Sequence, residues 1–259
     1  MNNPIVMSSY DRTFHGDGNT LIKKFSSHFG KNFFVLFDNQ NNIDKNTIHN
    51  KYDSQICLYN NDDFNKYNFN RPINLKHRWG NHQNPKYFYA HFRMLVFYIS
   101  NPNYDYYWFF DDDVDFTGNL KDFLNEYNEY NDDFIAIQAF KKENYTNLPR
   151  ISVINNRMSG SHGNWLHMCP GPGDNFKSID IHIGSFFPIV RFSNRAMKYL
   201  LDLNNNNFYG YSEGFVPTSL ASAGFTVSSM KDEFNNYFID KNIDCQLLHK
   251  GIQFTWEWL

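Results

Sequence analysis

The chain of 259 residues is 41% hydrophobic, 19% aromatic and 20% charged. That share of large apolar side chains can form a sizeable core, which excludes a disordered protein and indicates one globular unit. The 24 basic and 27 acidic residues give a net charge of -3, so we expect neither a nucleic acid nor an anionic membrane as a partner.

Short apolar runs alternate with segments of helical period in the first half of the chain, which is the pattern of an α/β fold with a mostly parallel central sheet. We predict a strand at residues 5–9, a helix over Leu21–Phe29, strands at 32–37 and 55–59, a polar stretch at 60–84, a helix from Pro85 to Ile99 and a strand at 106–110. Gly30 is placed to end the first helix in a left-handed cap. The strand at 106–110 is aromatic throughout, so we expect it to be buried on both faces.

The second half of the chain is less regular. We predict a helix around Phe123–Tyr127, a strand at 134–140, a long loop at 141–180, a strand at 181–190, helices at 195–203 and 217–223, and a strand at 225–229. Glycines and prolines concentrate in the long loop, and loops of that length in compact domains are often lids or binding loops. We find neither an internal repeat nor a linker, so we expect a single domain with helices on both faces of its sheet.

Four carboxylates follow the aromatic strand within a short stretch: Asp111, Asp112, Asp113 and Asp115. Like charges at this spacing repel, so these groups must take up protons or share a cation. Ligands that are all oxygen suit Mg²⁺, Mn²⁺ or Ca²⁺. Because open α/β sheets bind ligands beyond the carboxyl ends of their strands, the position of this cluster predicts a functional site.

Three kinds of protein place aspartates in such a pattern. The spacing of Asp111, Asp113 and Asp115 matches the start of an EF-hand loop, but Phe116 stands where that loop needs glycine. A haloacid-dehalogenase-like phosphohydrolase also has an aspartate pair after an apolar strand, although its nucleophile normally follows the first strand of the domain. The third is the Asp-x-Asp motif of nucleotide-sugar glycosyltransferases, in which a divalent cation bridges the carboxylates and the donor diphosphate.

The order of parts over most of the chain resembles the GT-A-fold glycosyltransferases. Residues 111–114, Asp-Asp-Asp-Val, resemble an element of the fringe and β-1,3-galactosyltransferase relatives, and residues 184–193 are similar to their Gly-rich strand before a Ser-capped helix. Residues 212–215 are similar to the acidic segment that carries their catalytic carboxylate, although Gly214 replaces the second acid. The run 213–218 is also similar to the core-2 branching transferases, which lack the metal motif.

This resemblance implies a metal site and a catalytic base. Asp111, Asp113 and His249 would hold Mn²⁺ or Mg²⁺, which neutralises the diphosphate of the leaving group. Glu213 would accept the proton of the acceptor hydroxyl in a reaction that inverts the anomeric centre. The other interpretation of Glu213 is an acid that the dipole favours at the start of a helix opened by Pro217.

The resemblance also implies two sets of substrate contacts. The residues expected to bind the donor are Tyr10, Arg12, Asp38, Arg93, Asp111 and Asp112. Arg78 and Lys86 are further basic residues within reach of a diphosphate. The residues expected to bind the acceptor sugar are His162 and Trp165, because an indole face stacks on the apolar side of a pyranose ring.

We therefore expect one glycosyltransferase domain over residues 1–259, with a nucleotide-sugar-binding half at 1–115 and an acceptor-binding half at 116–259. It would move a sugar from a nucleotide-diphosphate donor, a UDP-sugar, to a hydroxyl group of a glycan or other acceptor. The alternatives are the phosphohydrolase and a sugar- or nucleotide-binding module without turnover. Three isolated cysteines and no recognisable signal or membrane segment lead us to expect a reducing, cytoplasmic setting.

Overall fold

The computed structural model of the chain describes residues 3–10, 18–51, 54–71, 85–112, 114–141, 183–230 and 245–249. Its strands are β1 (Ile5–Tyr10), β2 (Phe33–Asp38), β3 (Gln55–Tyr59), β4 (Tyr106–Phe110), β5 (Val114–Gly118), β6 (Phe134–Lys141), β7 (Ile183–Ser193), β8 (Val227–Ser229) and β9 (Cys245–His249). Its α-helices are α1 (Gly18–Phe29), α2 (Lys45–Lys51), α3 (Asn61–Lys66), α4 (Pro85–Phe88), α5 (Ala90–Ser100), α6 (Leu120–Glu126), α7 (Asn194–Asn205) and α8 (Ser212–Ser222).

Seven strands form the central sheet in the order β3-β2-β1-β4-β7-β6-β8. All of them are parallel except β7, which runs antiparallel to both β4 and β6. Strands β5 and β9 pair separately as a two-stranded antiparallel sheet. The prediction of an α/β fold with a mostly parallel sheet is confirmed.

Helices cover both faces of the central sheet, because its strands are apolar on both sides. One core joins alternate side chains of the strands to α5, α7 and α8, and the other joins the remaining strand side chains to α1 and α6. In β4, Tyr107 and Phe109 belong to the first core and Trp108 and Phe110 to the second, all at most 1% exposed. The expected burial of β4 on both faces is confirmed.

Most predicted elements are present, and the differences have local causes. Gly30 ends α1 with a positive φ of 55°, as expected. The polar stretch after β3 contains α3, which is held by a capping box between Asn60 and Asp63. Helix α8 begins at Ser212 rather than at Pro217. Pro217 cannot donate to the carbonyl of Glu213 one turn earlier, and the Ser185 hydroxyl donates to that carbonyl at 3.4 Å.

A buried carboxylate fixes the start of β6. Asp133 is 1% exposed and accepts hydrogen bonds from Ser193 Oγ at 2.8 Å, from Thr226 N at 3.0 Å and from the guanidinium of Arg195. Burial by itself raises the pKa of Asp133, but these hydrogen bonds outweigh burial and hold the pKa below its ordinary value. The carboxylate thereby joins β6, α7 and the segment before β8.

Within the described ranges, no helix combines the length and apolar character needed to cross a membrane.

Candidate active site

Three neighbouring parallel strands end at one edge of the central sheet, where the sequence predicts the donor site. Tyr10 at the end of β1 lies beside Asp38 at the end of β2. The register of β1 against β4 leaves Ser8–Tyr10 beyond the end of β4, on the side where Asp111 begins the acidic turn. The fold thus brings Tyr10, Asp38 and Asp111 to the same edge.

Two buried hydroxyl groups lie at this edge. Ser8 and Ser9 are 4% and 2% exposed, and neither Oγ has a hydrogen-bond partner among the described residues. A buried hydroxyl without a partner costs about 1–3 kcal/mol, so such groups are unusual in a core. Because successive side chains of a strand point to opposite faces of the sheet, the two hydroxyl groups lie on opposite faces at the end of β1.

The acidic turn extends from β4 and is contacted by a basic side chain of α5. The backbone N–H of Asp111 donates to the carbonyl of Pro188 in β7 at 2.8 Å, which continues the β4–β7 ladder. Arg93 Nη2 lies 2.5 Å from Asp111 Oδ1, and the two side chains are 12% and 27% exposed. Arg93 therefore contacts the acidic turn through a charge-assisted hydrogen bond, and its expected contact with a donor diphosphate stays a prediction.

The pairing of β5 with β9 brings His249 close to the acidic turn. The backbone of His249 lies directly opposite Val114, the residue that follows Asp113. Asp115, the fourth carboxylate of the sequence cluster, instead pairs with Lys24 of α1 at 2.5 Å. The structure thus directs Asp115 to Lys24 and places the backbone of His249 opposite Val114, close in sequence to Asp111 and Asp112.

The carboxylate at the end of β2 is held by neighbours within the chain. Asp38 is 6% exposed, its Oδ1 lies 2.6 Å from Lys86 Nζ, and its Oδ2 accepts a hydrogen bond from Gln40 Nε2 at 2.7 Å. Lys86 also lies over the rings of Tyr59 and Phe64. Among the described basic candidates, Lys86 therefore pairs with Asp38, and Arg93 pairs with Asp111 of the acidic turn.

Glu213 lies in the first turn of α8, whose backbone contacts β7 near the same edge. Because β7 is antiparallel to β4, its first residues continue past the end of β4, and there Ser185 donates to the backbone carbonyl of Glu213. The half-buried carboxylate of Glu213 accepts a hydrogen bond from Tyr211 Oη at 2.6 Å on Oε2. Thr218 further ties α8 to the start of β7 through hydrogen bonds with the backbone of Ile183.

A buried histidine connects α5 to the start of α8. His91 is 1% exposed, and its Nδ1 lies 2.8 Å from the hydroxyl of Ser212, the neighbour of Glu213. Burial lowers the pKa of His91 from 6.5 to about 3, so the ring is neutral near pH 7. Helix α5 therefore contacts both halves of the candidate site, Ser212 through His91 and Asp111 through Arg93.

Several predicted site residues lie outside the described part of the chain. These are Arg12, Asp113, His162, Trp165 and the side chain of His249, together with Arg78 and most of the loop at 141–180. Among the residues that the structure describes, no group of three or more His, Cys, Asp or Glu side chains is arranged to hold a metal ion. The metal and acceptor assignments therefore stay predictions.

Sequence reasoning did not identify three residues around Glu213: His91, Tyr211 and Ser212. The hydroxyl of Tyr211 is two residues from the acid it contacts, so a search for hydrogen-bond donors near Glu213 would have found it. His91 and Ser212 are 121 residues apart, and no local pattern links them.

No protein-family model and no curated protein sequence matches the chain. Among solved structures, the chain is similar to mouse xyloside xylosyltransferase 1 in its apo form, with a TM-score of 0.50 and 10% sequence identity over 98% of this chain and 99% of that one. The galactosyltransferase LgtC, solved with donor and acceptor sugar analogues, has a TM-score of 0.44 and 12% identity over 90% of this chain and 75% of that one. The glycosyltransferase GlyE of Streptococcus pneumoniae has a TM-score of 0.39 and 13% identity over 91% of this chain and 47% of that one.

At this level of identity, similarity shows the fold and not the chemistry. The structural match to the xylosyltransferase extends over nearly the whole of both chains, and the chain has the fold of the GT-A-type glycosyltransferases. The resemblance that the sequence carries is thus confirmed at the level of the fold.

Proposed function

We propose that the protein is a divalent-metal-dependent glycosyltransferase that moves a sugar from a nucleotide-diphosphate donor, a UDP-sugar, to a hydroxyl acceptor. The GT-A fold supports sugar transfer in general. Carboxylates at the carboxyl edge of the sheet, together with a basic side chain beside them, support a donor that carries a diphosphate.

The observation that carries the proposal is the register of β5 against β9. It sets the backbone of His249 opposite Val114, next to an acidic turn whose first member, Asp111, is already oriented by Arg93. Residues more than a hundred positions apart thereby meet at one point of the sheet edge.

The residue types proposed for this site fit a divalent cation. Asp111, Asp113 and His249 offer carboxylate oxygens and an imidazole nitrogen, a set that suits Mn²⁺ and also accepts Mg²⁺. When bound, the cation supplies positive charge against the diphosphate that leaves the sugar. Arg93, which contacts Asp111, adds a second positive charge on the same side.

Glu213 is the proposed general base. Its first helical turn lies beyond the end of β4, and the Tyr211 hydroxyl holds one carboxylate oxygen. A base that removes the acceptor proton while the sugar leaves implies a single displacement, so the anomeric centre is inverted. Ionised carboxylates are favoured in the first turn of a helix by its dipole.

Donor binding is tested by thermal shift with UDP, with and without Mn²⁺. At a UDP concentration of about 100 times the dissociation constant, we expect a gain of about 2.7 kcal/mol in stability that requires Mn²⁺. Asp113→Ala should remove this gain and keep the fold. Asp115→Asn is the matched control, because Asp115 pairs with Lys24 and should leave UDP binding unchanged. Equal binding by Asp113→Ala and the wild type would refute the metal assignment.

Catalysis is tested by turnover of a panel of UDP-sugars with Glu213→Gln, followed by NMR of the product. We expect intact Mn²⁺-dependent UDP binding and a loss of at least about 10² in turnover, since a general base contributes about 10² to 10⁴. An α-linked product from an α-configured donor would refute inversion. Hydrolysis of simple phosphate monoesters would favour the phosphohydrolase, and UDP binding without any turnover of the wild type would favour the binding module.

A further inference from the structure

The first turn of α8 has few internal supports. Tyr211 precedes the helix without a side-chain cap, and Pro217 lacks the N–H that would bond to the carbonyl of Glu213. The segment that carries the proposed base therefore depends on contacts from other elements. Among the described residues, Ser185 in β7 and His91 in α5 make such contacts.

Two hydrogen bonds connect His91 of α5 to the hydroxyl of Ser212. The backbone N–H of His91 donates to Ser212 Oγ at 3.2 Å, and the ring Nδ1 lies 2.8 Å from the same oxygen. The carbonyl of Phe88 is a further acceptor for the Ser212 hydroxyl, at 3.4 Å. Ser212 Oγ is thus the hydrogen-bond partner of Nδ1 in either tautomer of the neutral ring.

The surroundings of the ring are apolar. His91 lies against Phe215 of α8, with ring centroids 5.5 Å apart at 29°, and beside Phe92. Nε2 is buried and has no hydrogen-bond partner among the described residues. A leucine or phenylalanine would fill such a pocket without an unpaired polar atom. Among the residues that the structure describes, Ser212 supplies the polar contact of the ring, so that contact is the chemical reason for a histidine here.

We propose that His91 is a positioning residue that holds Ser212, and through it the carboxylate of Glu213, at a fixed distance from the Arg93–Asp111 pair. This inference rests on the proposed role of Glu213. Residues 91 and 93 lie on one helix, so α5 acts as a rigid spacer between the donor-binding turn and the base. Misplacement of a catalytic group by about 1 Å costs roughly 10² in rate.

The test compares three replacements of His91. Asparagine keeps a polar atom near the position of Nδ1, glutamine keeps one near Nε2, and phenylalanine keeps only the shape. With the UDP-sugar that gives the fastest Mn²⁺-dependent release of UDP, we expect His91→Asn to keep kcat within about threefold of the wild type. His91→Gln and His91→Phe should lose about 10- to 100-fold in kcat with unchanged KM for the donor.

Three further variants serve as controls for this test. Ser212→Ala removes the partner hydroxyl without a change in the ring, and should lower kcat as far as His91→Gln does. The double variant His91→Gln/Ser212→Ala should lose no more kcat than either single variant, because both substitutions remove the same contact. His49→Gln, a change at an exposed histidine, should have no effect. Additive losses would overturn the inference, as would equal kcat in His91→Asn and His91→Phe.

Hydrogen exchange, which needs no substrate, distinguishes a failure of this inference from a failure of the proposed function. The amides of Gly214 and Phe215 donate to the carbonyl of Tyr211 in the first turn of α8. Hydrogen exchange at these amides should be at least about tenfold faster in His91→Gln than in His91→Asn. Unchanged exchange refutes the positioning role whatever Glu213 does. Faster exchange with full turnover of Glu213→Gln would instead refute the proposed base and keep His91 as a support of α8.

Discussion

The buried neutral state of His91 predicts how stability depends on pH. In the unfolded chain the ring takes up a proton below its ordinary pKa of 6.5, whereas burial lowers the pKa in the folded protein to about 3. Between these values the unfolded state binds the proton and the folded state does not. Stability is therefore unaffected by His91 above about pH 7 and falls as the pH decreases through this window.

The size of the effect follows from the two pKa values. One pH unit within the window corresponds to about 1.36 kcal/mol. Integration from about pH 7 to about pH 5 gives a loss of about 2 kcal/mol in the free energy of unfolding that is due to His91 alone. His91→Asn cannot titrate, so it should lack this part of the loss.

Urea unfolding of the wild type and His91→Asn at about pH 7 and about pH 5 measures the effect. The cost of the substitution itself is present at both pH values and cancels in the difference. The remaining titrating groups are common to both proteins. A wild type that loses no more stability than His91→Asn over this interval would show that the ring is charged or solvated, and would refute the assignment of a buried neutral histidine.

Two other predictions concern buried carboxylates. Asp133→Asn should lower the free energy of unfolding by about 2 kcal/mol, because it weakens hydrogen bonds to Ser193 and Thr226 at a buried site. Since the folded-state pKa of Asp133 lies below its ordinary value, this stabilisation is present above about pH 4 and is lost as the pH falls further, which acid titration of both proteins would reveal. Lys86→Met should cost about 3 kcal/mol by leaving the buried carboxylate of Asp38 without its cation, and Asp38→Asn in the same chain should restore part of it. Urea unfolding that shows a loss below about 1 kcal/mol for Lys86→Met would contradict the buried ion pair.

The local sequence pattern was sufficient to predict those helices and strands whose bounds follow from their own residues. The strands at 55–59 and 106–110 have the bounds predicted from their apolar runs, and the Ser193 side chain caps α7 by accepting from Ala196 N. Burial of alternate residues on both faces leaves a continuous apolar signal in the sequence. The same pattern predicted Asp111 at the end of a strand, because a buried strand ends where charged residues follow it.

Local pattern failed where a residue's partner lies far along the chain. The segment Val114–Gly118 looked like part of an acidic cluster, and only its pairing with Cys245–His249 makes it a strand. Helix α8 begins before its proline because Ser185 supplies the donor that Pro217 lacks. Both are tertiary effects that override a local signal.

The sequence by itself determined which residue types were available for chemistry: an aspartate turn after a buried strand and an acid at position 213. Only the tertiary structure decided their partners, namely Arg93 for Asp111, Lys86 for Asp38 and His91 for Ser212. Hydrogen bonds and ion pairs act over about 3 Å, so they form between groups that the fold brings into contact, whatever their separation in the chain. Apolar periodicity is encoded residue by residue, whereas the contacts of a site depend on the packing of several elements at once.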